Sequence, residues 1–218
     1  IAPSILPYLM LLPMIFGIMK EGITVTEFFT FRFLLSYLLF ALLFAITNSI
    51  GNNLTSIGFS LERENLEYLK VLPIDMKKYA REKFKVLFLA QSSVPILLLS
   101  IVLLVLRMPV LLVLAVIVTW FSISFGLSAW GFERDYRLRV PNWSNIVELQ
   151  SRGNKFLLGF LMFILFMLLI LCIAVSFPII HFLPEIIGYL IGAAAFIILN
   201  GLGIFFGEFY LRKLKKAL

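Results

Sequence analysis

Charge is what this sequence has least of. Asp, Glu, Lys and Arg make up 14% of its 218 residues, against about 25% in a soluble globular domain. Too little polar surface remains to cover a water-soluble globule. Cysteine and histidine occur once each. Cys172 alone excludes an intrachain disulfide framework. His181, between Pro178 and Pro184, reads as a loop residue, because a zinc site needs three or four ligands. No Gly-x-x-x-x-Gly-Lys-[Ser/Thr] run occurs, so no P-loop can cradle a nucleotide phosphate.

Apolar side chains fill the space that charge leaves, at 61% of residues, with a mean hydropathy of +1.04. They gather in six runs, at residues 3–19, 28–46, 86–106, 110–130, 156–177 and 186–210. Runs of about 20 residues suit helices crossing a bilayer core, not the roughly 10-residue alternating strands of a barrel. Backbone groups in hydrocarbon must also satisfy their own hydrogen bonds, which a helix does within one segment. The expectation is an all-α, polytopic helical membrane protein of about six transmembrane helices, forming one domain over residues 1–218. Pro3, Pro7 and Pro13 interrupt the first run and would kink its helix.

The positions of Lys and Arg set the orientation. Residues 60–83 carry Arg63, Lys70, Lys77, Lys78, Arg81 and Lys83. Residues 131–155 carry Arg134, Arg137, Arg139, Arg152 and Lys155, and the tail carries Arg212, Lys213, Lys215 and Lys216. If six helices alternate, these 15 of the 19 basic residues share one side. The positive-inside rule makes that side cytoplasmic, with both chain ends on it. The net charge of +7 therefore points to membrane topology, and nucleic acid is not an expected partner, since that needs a basic face on a soluble fold. The opposite connections are short, so any function outside the bilayer belongs to the cytoplasmic segments 61–83 and 131–155.

The stretch Leu61-Glu-Arg-Glu-Asn-Leu-Glu-Tyr-Leu-Lys-Val-Leu-Pro73 has the pattern of a short amphipathic helix. Glu62, Glu64 and Glu67 suit its early part and Lys70 its end, and Pro73 stops it. Leu66 and Leu69 with Leu72 or Val71 form its apolar stripe, while Glu64, Glu67 and Lys70 stay polar. Asp75 is placed to cap a second helix that carries Lys77, Arg81 and Lys85 on one face. Amphipathicity alone fits an interfacial helix with snorkelling lysines and no partner better than it fits a docking helix.

The order Glu62, Arg63, Glu64, Asn65, then Leu69-Lys70, then Leu72-Pro73-Ile74 resembles the cytoplasmic signature of type-2 ATP-binding-cassette permeases, which are exporters. In that family a Glu-Gly-(Arg or Glu)-Asn run precedes Leu-Leu-Lys-x-Leu-Pro-Ile, and the segment is a coupling helix seated on an ATPase subunit. Arg63 stands in the glycine slot. The resemblance implies an ATPase-coupling interface formed by Glu62, Arg63, Glu64, Asn65, Leu66, Glu67, Leu69, Lys70 and Pro73. A second similarity lies in Val140-Pro-Asn-Trp-Ser-Asn-Ile-Val-Glu148, implying a further cytoplasmic contact through Pro141, Trp143, Asn145 and Glu148. Asn145 with Glu148 also has capping-box spacing. The family's permeases are commonly about twice this length with the signature in the second half, so Ile1 is expected to begin a C-terminal half.

The resemblance further implies that ATP and Mg bind the partner ATPase, with no cofactor, metal or catalytic residue on this chain. Expected partners are that ATPase, a second permease copy or the other half of the permease, and lipid of the cell membrane. The alternative function is a non-transporting scaffold or assembly subunit using the same basic surface.

Three further features bear on chemistry within the spans. Phe125-Gly-Leu-Ser128-Ala129 faintly resembles an intramembrane serine nucleophile, but His181 lies at the other end of the expected spans, beyond the reach a base needs; packing by small residues is the better reading. Arg32, one turn inside the second run, can snorkel or meet an anionic substrate or headgroup. Gly188 with Gly192, and Gly203 with Gly207, put small residues on helix faces at i, i+4 spacing, suited to close packing against a helix of this chain or of a partner copy.

Overall fold

The computed structural model describes residues 30–51, 54–62, 65–138 and 155–218. It is all-α, the fold class expected, and among the described residues it contains no strand. A 3-10 turn at Phe31–Phe33 leads into α1 (Leu34–Gly51); 3-10 turns at Thr55–Ile57 and Ser60–Glu62 precede α2 (Asn65–Val71); then come α3 (Met76–Val105), α4 (Val110–Arg137), α5 (Lys155–Phe182) and α6 (Glu185–Ala217). Four helices are long and apolar enough to cross a membrane: Phe31–Ser49, Met76–Val105, Val110–Arg137 and Glu185–Ala217. Helix α5 adds the apolar stretch Met167–Phe182. The chain is a helical membrane protein. The expected first span, 3–19, lies outside the described residues.

Helices α3, α4 and α6 outrun, with charged turns, the apolar windows that announced them. Helix α3 starts at Met76 because the Asp75 carboxylate accepts the Lys77 and Lys78 amides at 3.0 and 3.2 Å, the N-cap its sequence suggested. Helices α4 and α6 continue to Arg137 and Ala217. Charged Lys, Arg and Glu are good helix formers, so hydropathy ends before the helix does. These extensions meet at one end, called here the basic end.

The five long helices alternate in direction. Ala80 and Phe84 near the start of α3 pack with Phe132 and Leu214 near the ends of α4 and α6, in a cluster that includes Phe59 and Leu66. Phe33, Leu38 and Ala41 pack with Leu112, Val116 and Trp120 in a second cluster that runs toward Met108 and Ile180. Between α3 and α4 the chain reverses through a Schellman arrangement, Met108 N donating to Leu103 O and Arg107 N to Leu104 O. Arg107 holds the left-handed position, with φ of 56°.

Helices α4 and α6 touch backbone to backbone. A Cβ on Gly203 would lie 2.5 Å from the Ser122 carbonyl oxygen, and one on Gly126 would lie 2.7 Å from the Gly203 oxygen. Gly207 faces the Phe125 ring, and Gly188 and Gly192 face Arg32 and Leu34. The four glycines of α6 among these admit α4 and the entry to α1, both in this chain. Small residues let helices approach this closely where lipid gives no hydrophobic drive to associate.

Candidate functional site

The segment before α2 is held by four side chains from the long helices. Gln91 of α3, buried, accepts from the Thr55 amide at 3.2 Å and the Thr55 hydroxyl at 3.1 Å, and donates to Ser128 Oγ at 3.4 Å. Asp135, buried near the end of α4, accepts from the amides of Phe59 and Ser60 at 2.7 and 2.9 Å and from the Ser60 hydroxyl. It caps the Ser60–Glu62 turn from a distant part of the chain, as an N-cap carboxylate does locally. Glu62 accepts from the Tyr79 hydroxyl and pairs with Lys83. Lys83 also lies over the Phe59 ring, 5.5 Å from its centroid.

The Phe59 ring lies tilted against Phe132 at 4.5 Å and edge-on to Tyr136 at 5.0 Å between ring centroids. Into this aromatic floor α2 inserts Leu66, which is 0% exposed. Leu69 is partly buried against the same cluster. The opposite side of α2 and the turn after it expose Tyr68 at 69% and Val71 at 87%, with Leu72 and Ile74 also exposed. Helix α2 ends at Val71, Leu72 N bonds Tyr68 O, and Pro73 stands two residues on.

Leu66, expected to face a partner, is instead fully buried against this cluster. Packing turns the Leu66 part of the stripe inward, where the aromatic cluster supplies the apolar surface, and leaves Val71 and Leu72 exposed. Glu62, expected at the interface, is spent on Tyr79 and Lys83. Asn65, Glu67 and Pro73 are exposed. Arg63 and Glu64 lie outside the described residues, as do Pro141, Trp143, Asn145 and Glu148, and of Lys70 only the backbone is described.

No family model matches the chain, and no curated protein or solved structure does either.

Arg32 has a position that sequence did not foresee. Its guanidinium donates to the carbonyls of Ile180, His181 and Leu183 at 3.2, 2.6 and 2.5 Å, so it closes the C-terminus of α5, where unpaired carbonyls and the helix dipole attract a cation. His181 belongs to α5, not to a loop, and sits at the end of the bundle opposite Ser128.

Sequence reasoning missed Gln91 and Asp135. Their signal was present, a polar residue inside or just past an apolar run, because a polar group there is tolerated only with hydrogen-bond partners. Asn200 is a third case, donating to Thr119 Oγ1 at 2.9 Å. What the basic end can do follows from this geometry: it holds α2 on a fixed footing and turns an apolar tip away from the bundle.

Proposed function

We propose that this chain is the transmembrane permease subunit of an ATP-binding-cassette transporter, an exporter of the cell membrane, driven by a separate ATPase subunit through α2. The carrying observation is the tip formed by Tyr68, Val71, Leu72 and Ile74, exposed on a helix whose other face is buried. An exposed apolar patch rimmed by charge marks an interaction site, and Glu67 with the basic start of α3 supplies that rim. A helix clamped by Leu66 and reached through Asp135 and Gln91 can pass a push at its tip to α3 and α4. The signature from Glu62 to Ile74 gives the patch its partner. Both chain ends and the basic end lie in the cytoplasm on this reading, which the positive-inside rule supports.

The test is association with the ATPase subunit co-purified from native membranes. Truncating or charging an interface anchor costs about 2 kcal/mol or more, roughly thirtyfold in affinity. Val71→Glu should weaken ATPase binding by at least that factor and remove substrate-stimulated hydrolysis, while the amount of folded permease in the membrane stays at the parent level. Unchanged binding and stimulation in Val71→Glu would refute the coupling role of α2. If no ATPase accompanies the parent chain, the scaffold reading takes its place.

A further inference from the structure

At the basic end a small recess opens between the first turns of α3 and the last turns of α6. Lys77, Arg81, Arg212 and Lys215 line it, with Glu208 and the apolar floor of Ala80 and Leu214. All four cations are exposed. Glu208 is engaged with Arg212 at 3.8 Å, and Leu218 also lines the recess. Lys77, Arg81 and Lys215 make no hydrogen bond through their side chains and no ion pair among the described residues. Four cations line the recess against the single side-chain carboxylate of Glu208, so its net field favours an anion. Its free volume of about 40 Å³ admits roughly three water-sized groups, the scale of the oxygens of one phosphate.

The surface next to the recess indicates where that phosphate comes from. Going from Glu208 back toward the middle of α6, the same helix face carries Phe205, Ile204, Gly201 and Ile197, all exposed. A Cβ on Gly201 would meet nothing within 4 Å. A cationic recess continuous with an open apolar strip matches a molecule with an anionic head and hydrocarbon tails. Basic pockets between membrane helices are where anionic headgroups bind.

We propose that this recess binds the phosphate of an anionic phospholipid whose acyl chains lie along the Ile197–Phe205 face of α6. The site draws on the membrane-spanning character of the chain and is independent of any ATPase partner, so failure of the coupling experiment leaves it standing. A lipid bridging α3 and α6 would hold together two helices that the protein itself joins through few side chains at this end.

The test uses the full chain in nanodiscs of phosphatidylcholine doped with phosphatidylglycerol, with retained lipid measured by mass spectrometry after exchange into neutral detergent. The parent should retain phosphatidylglycerol in excess over phosphatidylcholine. The double substitution R81Q/R212Q should lower that preference roughly thirtyfold, from about one anchoring interaction lost per cation. K78Q/K216Q removes the same charge from exposed positions outside the recess and should keep the preference. Retention unchanged in R81Q/R212Q overturns the site, as does an equal loss in K78Q/K216Q, which would reduce it to diffuse surface charge. Displacement of phosphatidylglycerol by inorganic phosphate at equal concentration would make the ligand a soluble phosphate and overturn the lipid assignment.

Discussion

Asp135 shows how much one side chain decides at the basic end. It meets two backbone donors and one hydroxyl, in a buried place. Asp135→Ala leaves these donors unpaired in a buried place, at about 1–3 kcal/mol for each group that water cannot reach. Loss of that order should appear as a lowered melting temperature in detergent and as faster proteolysis around residues 54–62. The glycines of α6 offer a paired test. Gly203→Ala sets a methyl against the backbone of Ser122, where neither side can yield without parting α4 from α6, and overpacking of this kind costs about 1–3 kcal/mol. Gly201→Ala meets open space and should leave the melting temperature at or above the parent value, since alanine is the better helix former. Equal melting of the two variants would mean that the α4–α6 approach is not a close one in the membrane. Sequence spacing nominated Gly203 with Gly207 and passed over Gly201, but that the backbone of Ser122 is the neighbour of Gly203 only the tertiary structure shows.

At the scale of elements, α2 is too short to be stable alone, since isolated helices below about 12–15 residues are marginal in water. Its seven residues persist because Leu66 is enclosed by Phe59, Phe84, Phe132 and Leu214. Leu66→Ala removes that anchor and leaves a cavity, a change worth about 2–5 kcal/mol in a close-packed core. The expected result is local: amide hydrogen exchange over residues 65–71 accelerates while α4 keeps its protection. A uniform loss of protection in both helices would show instead that α2 is part of the bundle's core. The amphipathic period of α2 was legible from its sequence. Which of two surfaces the stripe would meet was not, because a period of 3.6 residues identifies an apolar face without identifying the apolar surface that covers it.

The whole molecule is a bundle of alternating helices whose charge collects at one end. If that end is cytoplasmic, cysteines placed at Lys78 and Arg137, both exposed there, should resist a membrane-impermeant thiol reagent in intact cells and react once the membrane is opened; Cys172 is replaced by serine beforehand. Labelling of either position in intact cells would invert the topology and place α2 outside, away from any ATPase. The sequence by itself determined that the chain is helical and membrane-embedded, about where four of its spans lie, and that its cations cluster on one side of them. These are sums over neighbouring residues, and hydropathy, helix propensity and capping act within a few positions of one another. Tertiary structure alone decided that Arg32 closes the end of α5, that Glu62 is taken by Tyr79 and Lys83, and that Leu66 points inward while Val71 points out. It also brought Lys77 and Arg81 beside Arg212 and Lys215. Each of these joins residues from separate helices, and their meeting depends on which helix faces pack, a choice made by the fit of side chains across the whole bundle.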